Sequence, residues 1–119
     1  HPPSSRTPIR ERDGTAPPRY HATMAGAWVY TLANRPNGTL YTGVTADLAR
    51  RVLQHREGRG SGFARRHGIR RLVHAERHDA VSTAIAREKT MKRWRRAWKI
   101  ALIEAGNPDW QDLWDSMQA

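Results

Sequence analysis

Residues 28–45 read WVYTLANRPNGTLYTGVT, and this stretch decides the fold. Two runs rich in Val, Thr, Tyr and Leu flank the dipeptide Asn37-Gly38. Asn-Gly between such runs is a strong hairpin signal, because both residues tolerate the positive φ angles of a two-residue type I′ turn. The sequence therefore predicts a β-hairpin in which Pro36 faces Thr39.

This register determines which side chains share a face of the hairpin. Tyr30 faces Thr45 in this arrangement. Because side chains alternate with a period of two, Tyr30, Tyr41 and Gly43 lie on one face, and a four-residue loop gives the same parity. Val29 lies on the other face, which suits a packed core. Two interpretations stay open: the phenols form a functional surface beside a glycine that leaves room, or they are ordinary half-buried sheet residues.

The pattern after the hairpin predicts a helix, one more strand and then only helices. Thr45 is a natural N-cap for a helix at 46–57, and Gly58 is a natural C-terminal stop. Residues 58–68 are expected to form a flexible basic loop and residues 69–76 a third strand. Further helices, the first capped by Asp79 or Ser82, are expected at about 79–96, 97–105 and 109–117. This order predicts a small α+β domain with a three-stranded antiparallel sheet flanked by helices.

The first 25 residues differ in composition from the rest of the chain. Residues 1–26 hold five of the seven prolines and show no apolar periodicity. We therefore expect a disordered or loosely attached leader at 1–25 and a single folded domain at 26–119.

The charge of the chain indicates a polyanionic partner. Its 119 residues include 21 Lys and Arg against 11 Asp and Glu, a net charge of +10. Nucleic acid is the leading candidate because its phosphate charge is dense, and an anionic membrane surface is the rival. An apolar run of about 18 residues, the length that a spanning helix needs, is absent, and the lack of cysteine excludes disulfides and Cys-based zinc sites. We expect the protein in the cytoplasm, associated with the nucleoid if it binds DNA.

Two side chains of the first predicted helix are candidates for chemistry. Arg51 and His55 are four residues apart, so they are neighbours on one helix face. Leu48 and Val52 lie one turn away, which places this face at the border of the core. A solvated basic helix with an ordinary histidine is the simpler explanation when either residue is considered alone.

Glu88 is the most informative single residue. It falls in a helical stripe that otherwise consists mainly of apolar side chains, among them Ala84, Ile85 and Met91. A carboxylate in such a stripe costs desolvation free energy unless a cation or hydrogen bonds satisfy it. Either a divalent metal ion or an ion pair with Lys92, four residues on, meets that need.

As a spaced set, these residues resemble the signature of the GIY-YIG endonuclease family. The matching pieces are Trp28-Val29-Tyr30, Tyr41-Thr42-Gly43, Arg51, His55 and Glu88. The stretch AIAREK at 84–89 and the basic, Trp-containing helix after it resemble the small single-domain bacterial branch of that family. Trp28 and Thr42 depart from the residues of the family name, but neither side chain is expected to do chemistry.

The resemblance implies a metal-dependent endonuclease that hydrolyses phosphodiester bonds, with DNA the favoured substrate and DNA repair or recombination an expected setting. It implies that Glu88 holds one Mg²⁺ or Mn²⁺ ion and that Arg51 grips the scissile phosphate. Tyr30 or His55 would be the general base, with Tyr41 completing the hydrogen-bond network. A free tyrosine has a pKa of about 10, so Tyr30 needs help from the cationic site or acts by orientation. The alternative is a non-catalytic nucleic-acid-binding module of the same fold.

Basic side chains outside this set are candidates for contacts with nucleic acid. The predicted basic loop supplies Arg59, Arg65, Arg66 and His67, and the later basic helix supplies Lys92 and Arg93. Trp94 and Trp98 share one face of that helix, where core packing is favoured over stacking on bases. A small catalytic domain of this kind is also expected to need a protein partner for targeting.

Overall fold

The structure, a computed structural model, describes residues 26–117, and the predicted leader at 1–25 lies outside the described residues. The α+β class expected from the sequence is confirmed. None of the helices within the described range is both long enough and apolar enough to cross a membrane. The strands and helices are β1 (Ala27–Ala33), β2 (Leu40–Thr45), α1 (Leu48–Arg56), α2 (Gly62–Arg66), β3 (Arg71–His78), α3 (Val81–Arg93), α4 (Arg96–Gly106) and α5 (Trp114–Met117).

The three strands form one antiparallel sheet in the order β2-β1-β3. The central strand β1 is buried at every position, because it has a neighbour on each side and a layer of side chains on each face. Its pairing with β3 is interrupted by a register shift between Thr31 and Leu32. Every side chain of β1 therefore has a fixed partner across the sheet, which makes this strand the reference for the rest of the fold.

The hairpin turn is longer than the sequence predicted. The amide of Asn34 donates to the carbonyl of Thr39, so four residues form the loop, and the expected pairing of Pro36 with Thr39 is wrong. Within the loop, the amide of Gly38 donates to the carbonyl of Arg35, and Asn37 has a φ angle of 57°. A positive φ at the third position of a turn with proline at the second is typical of a type II turn rather than type I′.

The longer loop moves the register by two residues and leaves the faces unchanged. Tyr30 pairs with Gly43 rather than with Thr45, and Tyr41 pairs with Leu32. Because the shift is even, Tyr30 and Tyr41 still lie on the same face. That prediction is confirmed, whereas the predicted strand partners are corrected.

Both faces of the sheet are covered. On one face, Tyr30, Leu32 and Trp28 pack with Leu48 and Val52 of α1, and Ala64 of α2, Tyr41 and Trp114 complete this cluster. On the other face, Val29 packs with Ala84 and Met91 of α3 and with Trp94 and Leu102. Helices α1 and α2 thus share the face of the two tyrosines, and α3 lies on the opposite face.

Several predicted boundaries differ from those observed. Helix α1 begins at Leu48 because Asp47, not Thr45, is its N-cap, and the Asp47 side chain accepts from the amide of Arg50. The predicted stop at Gly58 is confirmed by its φ angle of 78°. Helix α3 begins after Ala80 without a side-chain cap, so neither Asp79 nor Ser82 fills that role. The last helix is limited to Trp114–Met117.

The predicted flexible loop at 58–68 contains a helix. Ser61 caps α2 by accepting a hydrogen bond from the amide of Ala64, which is buried against the tyrosine face. Gly68, with a φ angle of 64°, follows the helix and redirects the chain toward β3. This short helix was not predicted because the segment is rich in glycine and arginine. Its only buried side chain is that of Ala64.

The α3 face contains a buried ionic cluster centred on Glu76 of β3. Arg87 of α3 donates to both carboxylate oxygens, at 3.0 and 2.9 Å, and His74 and His78 contribute hydrogen bonds of 2.9 and 3.1 Å. Burial raises the pKa of Glu76, but the hydrogen bonds from His74 and Arg87 outweigh it and hold that pKa well below its usual range. The cluster joins α3 to the edge of the sheet opposite β2.

Substituting Arg87 with methionine tests the contribution of this cluster. The change leaves the Glu76 carboxylate, which is 9 % exposed, without its bidentate partner. We expect the free energy of unfolding to fall by about 3 kcal/mol, because an unpaired buried charge is costly. The matched control is Arg59→Met, whose ion pair with Glu57 is exposed and should change stability by less than about 0.5 kcal/mol. Urea denaturation measures the unfolding free energy of both variants. Equal losses of stability in the two variants would show that the Glu76 cluster contributes no more than a surface ion pair.

Candidate functional site

The hydroxyl of Tyr30 is the centre of a cluster on the tyrosine face. Its oxygen lies 3.2 Å from Nε2 of His55 and accepts a hydrogen bond from Nε of Arg51 at 3.4 Å. The ring of Tyr41 lies 6.4 Å from that of Tyr30 and 5.3 Å from that of His55, between centroids. Four side chains that are distant in sequence, two from the hairpin and two from α1, therefore meet at one place.

The glycine at position 43 makes the central position of Tyr30 possible. A Cβ atom at Gly43 would lie 2.6 Å from the Tyr30 hydroxyl oxygen and 2.7 Å from Cζ. Such distances are shorter than any tolerable contact, so the Tyr30 ring can lie across β2 only where the strand has no side chain. The space that the sequence analysis expected beside the phenols is filled by the Tyr30 ring itself.

A second glycine determines the surroundings of His55. A Cβ atom at Gly60 would lie 2.2 Å from Nδ1 of His55, so the chain after α1 passes directly against the imidazole ring. His55 is 3 % exposed, and its Nδ1 has no hydrogen-bond partner among the described residues. The histidine is thus enclosed, with a single polar contact through Nε2 to the Tyr30 hydroxyl.

Enclosure shifts the protonation equilibria of the cluster. Burial raises the pKa of Tyr30 to about 12, although the hydrogen bond from Arg51 acts in the opposite direction. Burial and the nearby Arg51 charge lower the pKa of His55 to about 4. The hydrogen bond with Tyr30 raises the pKa of Arg51. Near neutral pH the cluster therefore contains a neutral phenol, a neutral imidazole and a guanidinium cation.

Two roles were left open for Tyr30: ionisation with help from the cationic site, or action by orientation. Burial outweighs Arg51 and raises the pKa of Tyr30, which argues against ionisation. A neutral phenol can accept one proton while it donates its own to a neighbouring acceptor. Nε2 of His55 lies where such an acceptor must be. The geometry suits proton transfer through Tyr30 rather than a stored phenolate.

Of the two half-buried members of the cluster, Tyr41 and Arg51, the arginine carries the positive charge. Its guanidinium is half-buried and also donates through Nη1 to Oε1 of Gln54 at 3.0 Å. A planar fork held at two of its nitrogens, with part of its edge open to solvent, is suited to bind a phosphate. The sequence analysis did not identify Gln54 as a partner of Arg51. Its position three residues after Arg51 on the same helix face was the signal for this contact.

Glu88 does not contact the other four predicted site residues in any recorded hydrogen bond or ion pair. It lies on α3 between the buried Ala84 and Met91, with its side chain 15 % exposed, and one carboxylate oxygen is 2.5 Å from Nζ of Lys92. Of the apolar stripe predicted around Glu88, Ala84 and Met91 are buried, whereas Ile85 is 40 % exposed and lies outside it. The ion pair with Lys92, one of the two partners weighed for Glu88, is present.

The side chains predicted to contact nucleic acid are all exposed, but they fall on two sides of the sheet. One group follows α1 on the tyrosine face: Arg59, Arg65, Arg66 and His67. Lys92 and Arg93 belong to α3 on the opposite side. Trp94 is buried and Trp98 packs against the same cluster, so both tryptophans are core residues as favoured from the sequence.

Asn107, which follows α4, has a structural role. It is 7 % exposed, and its amide nitrogen donates to the carbonyls of Val73 and Gln111. Its amide oxygen accepts from the backbone N–H of Gln111. These bonds attach the chain after α4 to β3, so Asn107 supports the fold and contacts none of the four clustered side chains.

The lowered pKa of His55 makes a prediction about stability and pH. Because the folded protein favours the neutral imidazole, His55 contributes stability that is complete above about pH 6.5 and is lost as the pH falls toward 4. We expect the unfolding free energy of the parent protein to fall by on the order of 2 kcal/mol more than that of His55→Gln over this range. Urea denaturation at a series of pH values measures the difference. Parallel curves for the two proteins would show that His55 is not enclosed as described.

Comparison with known proteins identifies the family of this chain. The model of the GIY-YIG catalytic domain matches residues 26–101. A UPF0213 protein of Natronomonas pharaonis is 40 % identical over 79 residues, which cover 66 % of this chain and 92 % of that protein. A UPF0213 protein of Staphylococcus saprophyticus is 34 % identical over 70 residues, covering 59 % and 85 %. The solution NMR structure of a UPF0213 protein from Bacillus halodurans matches with a TM-score of 0.47 and 29 % identity, covering 73 % of this chain and 92 % of that one. The family model spans most of the described residues, and the chain therefore belongs to the GIY-YIG nuclease family.

Proposed function

We propose that the protein is a metal-dependent endonuclease that hydrolyses phosphodiester bonds in nucleic acid, with DNA the favoured substrate. The observation that supports this most is the Tyr30 hydroxyl, which His55 and Arg51 contact from one helix while Tyr41 lies beside it. Hydrolysis needs an activated water and a cation at the phosphate, and this cluster offers a group for each.

Arg51 binds the scissile phosphate in this proposal. Tyr30 is 1 % exposed, so no water reaches its hydroxyl while the guanidinium covers it. A phosphate at the half-buried edge of Arg51 draws the guanidinium away from the phenol, because a charge-assisted contact is stronger than the 3.4 Å hydrogen bond that it replaces. Binding of the substrate and opening of the site are thus one event.

The proton from the attacking water then passes through Tyr30. The water donates to the phenol oxygen while the phenol donates its own proton to Nε2 of His55, 3.2 Å away. The resulting hydroxide forms a bond to phosphorus, and the bond from phosphorus to the leaving oxygen breaks with its electron pair on that oxygen, which takes up a proton from solvent. The bound phosphate neutralises Arg51, whose charge helps to depress the pKa of His55, so His55 becomes a better proton acceptor once substrate is present.

Glu88 is the residue that would hold the metal ion. Its carboxylate is of the oxygen type that Mg²⁺ and Mn²⁺ prefer, and Mg²⁺ sites in phosphate chemistry often use one or two carboxylates with water as the remaining ligands. Among the described residues, no group of three or more His, Cys, Asp and Glu side chains is placed to hold a metal ion. Lys92 is 53 % exposed and can swing away to free Glu88. When bound, the ion would neutralise phosphate charge and assist the leaving oxygen.

The exposed basic residues complete the proposal. Arg59, Arg65, Arg66 and His67 follow the helix that bears Arg51 and His55, so we assign them to the substrate strand near the site, and Lys92 and Arg93 to a more distant stretch. Such an enzyme would work in the cytoplasm on the nucleoid, in DNA repair or recombination, with a protein partner for targeting. The competing proposal is a non-catalytic nucleic-acid-binding module. Its positive charge would still bind phosphates, but it would have no catalytic use for the Tyr30 cluster.

The substitution Glu88→Ala separates binding from cleavage. Cleavage of labelled DNA in Mg²⁺ or Mn²⁺ should fall by about a hundredfold or more, the scale expected when a main electrostatic stabiliser is lost. Oligonucleotide affinity in the absence of metal should be retained, because the basic side chains are unchanged. Single-turnover assays over a panel of duplex, branched and single-stranded substrates measure both quantities.

The matched control for this experiment is Lys92→Ala. It removes the observed ion pair but keeps the carboxylate, so any effect that comes from the pair alone appears in both variants. At saturating substrate, Lys92→Ala should keep most of the single-turnover cleavage rate, although its affinity for the substrate should fall because Lys92 is also assigned to a distant stretch of the nucleic acid. A parent protein that cuts no substrate with either metal would favour the non-catalytic module, and equal cleavage by the parent and Glu88→Ala would place the metal elsewhere.

A further inference from the structure

Helix α2 exposes an aromatic pair. Phe63 is 43 % exposed, and its ring lies 4.4 Å from that of His67, between centroids, at an interplanar angle of 46°. Within residues 26–116, the remaining Tyr and Trp side chains are all buried or half-buried. Leu53, Val81 and Ile85 are exposed to a similar degree, but among these four side chains only Phe63 is aromatic and lies against a second ring.

The helix that bears this pair is firmly attached to the tyrosine face. Ser61 caps its first turn, and the buried Ala64 anchors its underside. At its end, the side-chain amide of Asn34 donates to the carbonyl of His67 at 3.4 Å. Gly60, which lies against the His55 ring, is only three residues before Phe63. The two exposed rings are therefore fixed on α2. They lie a few residues after Gly60, which packs against His55 of the Tyr30 cluster.

The charge around the pair is of one sign. Arg66 lies three residues after Phe63, hence on the same side of the helix, and Arg65 precedes it. Residues 58–75 include five arginines and no acidic residue. An apolar protein partner would bury the exposed Arg65 and Arg66, which pair with no acidic side chain among the described residues, at a high cost in free energy. A polyanion that carries flat rings satisfies both features of the surface, because its phosphates meet the arginines and its rings meet Phe63.

We infer that Phe63 and His67 form a stacking platform for an unpaired nucleobase, so that the preferred substrate has a single-stranded segment beside the scissile phosphate. Bases within a duplex are already stacked on one another and do not offer a free face, whereas an unpaired base does. Stacking on an aromatic side chain contributes about 1–3 kcal/mol per base and depends little on sequence. This inference rests on the proposed function only for the position of the cut, because the binding preference itself requires no chemistry.

The test compares Phe63→Leu with Phe63→Trp in the full chain. Leucine keeps an apolar, helix-compatible side chain but has no π face, and tryptophan offers a larger one. Affinities for a fluorescent single-stranded DNA and for its duplex are measured without divalent metal. Phe63→Leu should weaken single-strand binding about tenfold and change duplex binding less than about twofold, and Phe63→Trp should restore or exceed the parent affinity. Replacing the bases of the single strand by abasic sites should abolish the difference between the parent and Phe63→Leu.

The matched control is Ile85→Ala, which removes a similarly exposed apolar side chain from α3 on the opposite face of the sheet. It should alter neither affinity. An unchanged ratio of single-strand to duplex affinity in Phe63→Leu would overturn the inference. An equal loss of affinity for normal and for abasic single-stranded DNA would also overturn it, because stacking requires a base. Because binding is measured without metal, these outcomes are independent of cleavage. A protein that cleaves no substrate would contradict the proposed nuclease activity, whereas the stacking platform is tested by the affinity ratios alone.

Discussion

A phenol oxygen buried on the central strand of the sheet needs hydrogen-bond partners, and this need organises one half of the molecule. A buried hydroxyl without a partner costs about 1–3 kcal/mol. Tyr30 is 1 % exposed, and its partners Arg51 and His55 both come from α1. Their spacing of four residues puts both on the helix face that lies over the strand. The position of α1 on the sheet and the composition of the site are therefore fixed by the same contacts.

The close approach depends on two positions without side chains. Gly43 leaves space for the Tyr30 ring on the neighbouring strand, and Gly60 lets the chain pass over the His55 ring. Together they exclude solvent from the phenol and the imidazole, and exclusion of solvent keeps both neutral. The packing of the tyrosine face thus produces the protonation states that a proton relay needs.

The opposite face of the sheet carries the structural charges. There Glu76 is satisfied by Arg87 and two histidines, and Trp94, which follows α3, packs with Trp98 of α4 in the cluster around Val29. Glu88 lies one residue beyond Arg87 in the same helix, so the ionic cluster that fixes α3 also fixes the location of the proposed metal ligand.

Much of this arrangement follows from local sequence patterns, and the exceptions have physical causes. Side-chain parity placed Tyr30 with Tyr41 because an even change in loop length leaves faces unchanged, although it altered the strand partners. Asp47 competes with Thr45 for the helix cap, and sequence alone does not decide between two good caps. Helix α2 is too short to show periodicity. The roles of Gly60 and Glu76 depend on contacts between distant segments, and no local pattern reveals them.

The central claim is that the Tyr30 hydroxyl transfers the proton of the attacking water, and Tyr30→Phe tests it by removing a single oxygen atom. Phenylalanine fills the same space against Gly43, so the fold should persist and oligonucleotide affinity should stay within about twofold. Single-turnover cleavage in Mg²⁺ should slow by about a hundredfold or more, the scale of a lost general acid–base group. A Tyr30→Phe protein that cleaves at the parent rate would contradict the account.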